Sequence, residues 1–223
     1  MKLTRTRRRT MMSAAMTIAL FGTAARADVI AISPAAFPGG STLITFTGIA
    51  DGVEVNGLVL AGVQFNYSVG FGLALIDGGP GTTNNVSPQN IELTPQIRVP
   101  LGTLTILLPS LQNLFGFGFA VLTMTPVANA VTVTLFDGAT NVGSLSYNGV
   151  PDPDYAGGYA GIRSTLAFNR VQLTFSSVVA PFAVDNIQFA SVTTTPEPAT
   201  VALVLTGLVG VGVLRLRRRG TST

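Results

Sequence analysis

The sequence predicts an all-β fold, an antiparallel two-sheet sandwich, and three observations predict it. Residues 28–195 hold some ten short segments of alternating or β-branched residues, separated by Asp-Gly, Asn-Gly and Pro-Asp-Pro turns. No apolar stripe at helical spacing of useful length runs between them. Cysteine, histidine and tryptophan are absent, so no disulfide staples the domain and packing must hold it, alone or with a metal.

The segments follow in order. Leu43–Thr47, Val53–Leu60, Val63–Val69, Phe71–Ile76, Ile91–Val99 and Thr103–Leu108 make up the first half. Asp51-Gly52, Asn56-Gly57 and Asp77-Gly78-Gly79-Pro80-Gly81 separate several of them, each a turn by its own chemistry. Leu114–Thr125 is the clearest strand, with Phe115, Phe117, Phe119 and Val121 on one face and Gly116, Gly118 and Ala120 on the other. Val131–Phe136, the Asp137-Gly138 turn and Asn141–Tyr147 predict a hairpin. Val171–Phe175 and Pro181–Ala190 complete the set. A two-sheet jelly-roll-like sandwich over 28–192 is the expected architecture.

The two ends read differently. Lys2, Arg5, Arg7, Arg8 and Arg9 precede an apolar stretch, Met11–Ala24, and then Ala25-Arg26-Ala27, small residues flanking one other. This is the pattern of a signal peptide (1–27), a signal helix cut after Ala27 so that the mature chain begins near Asp28. Arg8-Arg9 with the weakly apolar stretch also partly matches a twin-arginine signal, but Arg7 stands where that signal carries Ser or Thr. Ordinary secretion is the favoured route.

At the other end, 193–223, Pro196-Glu197-Pro198 is followed by the uncharged run Ala199–Leu214 and then Arg215, Arg217, Arg218 and Arg219. A run of 16 residues is short for a span, which takes ~20; arginine stems extend it by snorkelling. A buried core helix competes, yet four arginines in five residues favour a transmembrane helix with its basic end in the cytoplasm. The Pro-Glu-Pro motif, apolar segment and arginine cluster together resemble the PEP-CTERM sorting signal of bacterial exported proteins. That resemblance implies that Pro196, Glu197 and Pro198 are recognised by a membrane protease, an exosortase, during surface sorting. It implies an inner-membrane stage and then the cell surface or extracellular space, with signal peptidase as a second processing partner.

Trimming both ends reverses the charge. The +3 of the whole chain falls to −6 over 28–195, where Arg98, Arg163 and Arg170 face nine acids. An acidic exported domain repels phosphate backbones, which excludes nucleic acid. Without histidine, cysteine or a lysine beyond Lys2, nucleophilic triads and zinc sites are excluded too. Gly78-Gly79-Pro80-Gly81 lacks the helix and lysine of a phosphate cradle.

A second resemblance covers the last third of the domain. Phe136-Asp137-Gly138, Gly158–Ser164, Phe168–Val171 and Phe182-Ala183-Val184-Asp185-Asn186-Ile187 are similar to the second half of jelly-roll domains of the carbohydrate-binding-module type. In some of these, an acid on the last strand and one near the first strands hold a structural calcium. The resemblance puts Asp185 in that place, with Glu54 or Asp51 as its partner. The competing role for Asp185 is a hydrogen bond to neighbouring backbone, with Asn186 in a turn. Tyr155 and Tyr159, read as flanking Gly157-Gly158 in one loop, are the expected place for exposed rings that stack on sugar. Asp152 and Asp154 are the best-spaced carboxylate pair for glycoside hydrolysis, although such proline-bounded loops are usually solvated turns.

The expectation is therefore a non-catalytic, exported surface or matrix protein, structural or adhesive and associated with exopolysaccharide. A carbohydrate-binding module with a defined glycan site is the alternative, and a glycoside-acting enzyme a weaker one.

Overall fold

The structure, a computed structural model, describes residues 28–70, 72–77, 90–93, 102–176 and 181–192. The expected signal segment 1–27 and the sorting tail 193–223 lie outside the described residues. No helix among the described residues is long and apolar enough to cross a membrane.

The described chain is antiparallel β almost throughout. Its strands are β1 (Val29–Ala31), β2 (Thr42–Ile44), β3 (Val59–Leu60), β4 (Val63–Tyr67), β5 (Ala74–Asp77), β6 (Asn90–Leu93), β7 (Thr103–Val121), β8 (Val127–Asp137), β9 (Thr140–Pro151), β10 (Ala156–Phe175) and β11 (Phe182–Ala190). The one helical element among the described residues is a 3-10 turn at Pro34–Ala36. β7 and β10 are 19 and 20 residues long and belong to both layers. Their first and last parts pair in antiparallel register: Leu104 opposes Leu173, and Phe119 opposes Gly158.

Each of the two strands turns a corner between those parts. In β7 the corner falls at Pro109–Leu111, where proline removes one backbone donor and all three residues are exposed. Gln112 Nε2 donates to Ser110 Oγ at 2.8 Å across that corner. In β10 the register slips between Arg163 and Phe168, and Leu166 N–H donates to Ser164 Oγ at 3.1 Å. The expected strands Thr103–Leu108 and Leu114–Thr125 are thus one folded-over strand, because side-chain hydroxyl and amide groups satisfy the backbone at the bend.

Beyond the corners, one layer contains β4, the start of β7, the end of β10, β8 and β9, and the other contains β5, β6, β11, the end of β7, the start of β10 and β1. Phe115, Phe117 and Phe119, fully buried as their alternation predicts, face Leu104, Ile106, Val171 and Leu173 in a single core. Each such side chain contributes roughly 1.5–3 kcal/mol on burial. Phe175 of one layer stacks on Phe182 of the other at 4.0 Å and 5°, with Tyr67 at 6.0 Å from Phe182.

The glycine face of β7 is not bare. A Cβ on Gly116 would lie 2.0 Å from Tyr159 Oη and 3.2 Å from a ring carbon of Phe37, so glycine is there to admit both. The Gly157-Gly158 pair, expected in a loop between Tyr155 and Tyr159, is likewise strand, and β10 runs on through Gly161. Its glycines answer close approach instead of turning: a Cβ at Gly161 would meet the Ile32 carbonyl at 2.4 Å.

Candidate functional site

Both described ends of the domain leave from one edge. Ala190, Leu114, Arg163 and Ile30 form one register row across β11, β7, β10 and β1. Strand direction sends both Asp28 and Val192 past that row on the same side. β11 then separates this edge from the opposite one by about 26 Å, its nine residues rising ~3.3 Å each.

Three exposed apolar side chains stand at the opposite edge, while Ile30, Leu43, Val59, Leu111 and Leu166 are exposed elsewhere. Leu122, Met124 and Val150 are 47%, 69% and 58% exposed. Val150, Gly157, Ala120 and Ala183 form a register row there, and the small side chains make a flat floor. Tyr155 packs on that floor against Ala120 and Ala183. A shallow notch between Leu122, Tyr155 and Pro181 holds only about 10 Å³, one water at most. Asp152 and Asp154 are exposed on the adjoining loop, closed by an Asp152 N–H to Tyr155 carbonyl bond of 3.3 Å. A ring, aliphatic groups and two carboxylates on an open surface can contact a ligand's face and accept hydrogen bonds from its hydroxyls. Among the described residues, neither Asp152 nor Asp154 lines the notch.

Tyr159, expected beside Tyr155 in one loop, is elsewhere and does another job. It lies in the row of Gly118 and Asp185, and its ring runs over Gly116 under the chain near Phe37. Its buried hydroxyl has no hydrogen-bond partner among the described residues. Burial pushes its pKa up to about 12. Tyr147 Oη donates to the Gly161 carbonyl at 2.5 Å, and burial, then the neighbouring Tyr159, raises its pKa above the ordinary 10.0.

Asp185 and Glu54 are not brought together. Glu54 opposes Leu75, Leu75 opposes Glu92, and Glu92 opposes Ala183, two residues before Asp185. Three strand spacings of ~4.8 Å separate the two acids along the sheet. Glu54 accepts backbone N–H groups from Asn56 at 3.1 Å and from Gly72, tying two loops. Asp185, fully buried, accepts the Asn186 N–H at 2.6 Å. Asn186 has φ +52° in the irregularity between Asp185 and Gln188, so the Val-Asp-Asn-Ile segment builds a bulge. No group of three or more metal-ligating side chains occurs among the described residues.

An open polar groove of about 490 Å³ lies at the edge where the chain ends emerge, lined by Pro38, Ser41, Pro109, Ser110, Gln112 and Ser191 among others. Sequence reasoning missed both it and the Leu122–Met124–Val150 cluster, because each is assembled from residues far apart in the chain. The alternation that ends at Val121 marks Leu122 and Met124 as the first side chains past the core, and that signal was available.

No family model matches the chain, and no curated protein matches it. Among solved structures the chain is similar to two mutant forms of the family 29 carbohydrate-binding module CBM29-2. One has a TM-score of 0.32 at 10% identity, covering 61% of this chain and 98% of the module. The other has a TM-score of 0.33 at 11% identity, covering 78% and 99%. A further similarity, TM-score 0.33 at 15% identity, is to the enzymatically active domain of tailspike protein 4 from bacteriophage CBA120, covering 62% of this chain and 22% of that one. Likeness of this degree says nothing of ligand or activity, and the all-β antiparallel fold rests on the strands themselves.

Proposed function

We propose that this chain is an exported, non-catalytic surface or matrix protein whose β-sandwich contacts neutral exopolysaccharide through the edge bearing Tyr155. A signal peptide ending at Ala27 and a PEP-CTERM-like tail at Pro196–Arg219 deliver it, with signal peptidase and an exosortase as processing partners and the 199–214 run as the membrane segment. The observation that carries the reading is what stands at the edge away from both described ends: Tyr155 with exposed Leu122, Met124 and Val150 beside Asp152 and Asp154, although Ile30, Leu111 and Leu166 are exposed towards the other edge. A chain held to a surface by its tail thereby presents Tyr155, Leu122, Met124 and Val150 outward. The net charge of −6 over 28–195 favours an uncharged glycan, since an acidic polymer would be repelled.

The test is retention of the purified protein on immobilised neutral glycans together with its distribution between cells and extracellular polymer. Retention should fall about 2–13-fold in Tyr155→Ala, the loss of one ring contact of ~0.5–1.5 kcal/mol. Identical retention of variant and parent would remove Tyr155 from the contact. Release of reducing sugar that stops in Asp154→Asn would replace the binding reading with an enzymatic one.

A further inference from the structure

The outer face of the layer built from β4, β7, β10, β8 and β9 has a composition of its own. Phe65, Ile106, Val171 and Leu135 oppose one another across four of these strands and are fully buried. Their neighbours along each strand therefore point away from the core. Two register rows result. Gln64, Leu107, Arg170 and Phe136 form the first, and Asn66, Thr105, Gln172, Thr134 and Ser144 form the second. All of them are half-buried or exposed. Five strands ~4.8 Å apart make this face roughly 19 Å wide, with the two rows about 6.6 Å apart.

Arg170 is the one charged side chain in these rows, in a domain whose net charge over 28–195 is −6. Its guanidinium carbon lies over the Phe136 ring, 4.3 Å from the centroid, which holds the planar group against the sheet. Its Nε is buried without a hydrogen-bond partner. No acid among the described residues pairs with its Nη groups, although Asp137 follows Phe136 at the hairpin turn. Beside it, the amides of Gln64, Asn66 and Gln172 and the hydroxyls of Thr105, Thr134 and Ser144 make no side-chain hydrogen bond within the described residues.

A stacked guanidinium with free Nη groups offers two parallel N–H donors, the geometry that a planar carboxylate accepts as a pair. The flanking amides and hydroxyls both donate and accept, which suits a partner rich in hydroxyls. A nucleic-acid backbone or an anionic membrane would need several cations, and these rows hold one. We infer that this face binds a saccharide in which one carboxylate stands among hydroxyls, a uronate unit in an otherwise neutral chain, with Arg170 receiving the carboxylate. The charge of −6 limits the ligand's charge density: a polyuronate is repelled at long range, whereas a lone carboxylate meets Arg170 at contact distance. The site is separate from the Tyr155 edge, since Tyr155 precedes β10 and Arg170 lies in its last third. It stands whether or not that edge binds glycan.

The experiment is calorimetric titration of the full-length protein in detergent with matched pairs of oligosaccharides. Each pair is a chain bearing one glucuronate and the same chain with that carboxylate methyl-esterified, on xylan-, glucan- and mannan-type backbones. The ester keeps the shape and removes the charge. In at least one pair the acid should bind about tenfold more tightly than the ester. Arg170→Gln should bring that ratio to about one, and Arg170→Lys, which keeps the charge and loses the fork, should leave it in between. Tyr155→Ala should leave the ratio unchanged, whatever it does to retention on neutral glycan. Melting curves show that the variants are folded. Equal binding of acid and ester in every pair, no binding of any acid, or a preference undiminished in Arg170→Gln would overturn the assignment. A preference lost in Tyr155→Ala would move the site to the other edge and overturn it too.

Discussion

At one end of the sandwich, Phe175 and Phe182 stack at 4.0 Å and close the two layers from inside, while Leu122, Met124 and Val150 stand exposed outside. At the other end β7 and β10 turn their corners through Pro109–Leu111 and Ser164–Phe168, and hydroxyl and amide side chains line an open groove. The same strands build both ends. The first is joined by burying apolar rings and by the pairing of β9 with the start of β10, Pro151 opposite Ala156 and Val150 opposite Gly157. The second is joined covalently by the folded-over strands, which releases it from the need for an apolar seal. Exposed apolar side chains occur at both ends, Leu111 and Leu166 at the corners and Leu122, Met124 and Val150 beside Tyr155.

Four changes break or sharpen the contrast. Phe182→Ala should cost about 3–5 kcal/mol in denaturant unfolding, because it opens a cavity in the aromatic stack between the layers. A loss below 1 kcal/mol would mean that the aromatic seal is dispensable. The alkaline limb of stability reports the tyrosines along β9 and β10. Tyr159, and Tyr147 above it, hold their protons more tightly in the folded chain than the ordinary 10.0. Their contribution is full below pH 10 and is lost as the pH rises from 10 towards about 12, where the unfolded chain ionises first. Tyr159→Phe should flatten that decline, and a decline unchanged in both Tyr159→Phe and Tyr147→Phe would exclude these rings as its source.

At neutral pH the same two rings separate. Tyr147→Phe loses the bond to the Gly161 carbonyl and should cost about 1 kcal/mol, whereas Tyr159→Phe removes an unpaired buried hydroxyl and should be neutral or stabilising. Thermal melts of the two variants rank them, and a larger loss in Tyr159→Phe would contradict the unpaired hydroxyl. Smallest of all, the double change Leu122→Ser with Met124→Ser should leave stability within about 0.5 kcal/mol. A loss of several kcal/mol would show that these side chains belong to the core and not to a contact surface.

Much of the strand content was legible. β4 and β8 alternate over five residues with one side buried, and period-two patterning reports that situation directly, as it does the phenylalanine face of β7 although both faces of that stretch are buried. β1 was illegible because three residues carry no period, and its place in the sheet depends on Gly143 and Gly161 more than a hundred positions away. The Gly157-Gly158 pair read as a loop since glycine marks turns and close backbone approach alike, and only the Phe119 carbonyl lying against Gly157 tells them apart.

The candidate site divides in the same way. Tyr155 and the exposed Asp152 and Asp154 were visible as a proline-bounded loop with a ring, and their exposure follows from local turn chemistry. The separation of Tyr159 from Tyr155, and of Asp185 from Glu54, was not visible.

By itself the sequence determined the all-β class, the buried faces of the long strands, the acidic charge of 28–195 and the absence of histidine and cysteine chemistry. These are local or compositional properties, and each residue contributes to them independently of its distant neighbours. The tertiary structure alone decided that β7 and β10 each serve two layers, that both described ends leave one edge, and that the glycine face of β7 is covered by Tyr159 and Phe37. Those depend on register between strands far apart in the chain, which cross-strand packing sets and no short window of sequence encodes.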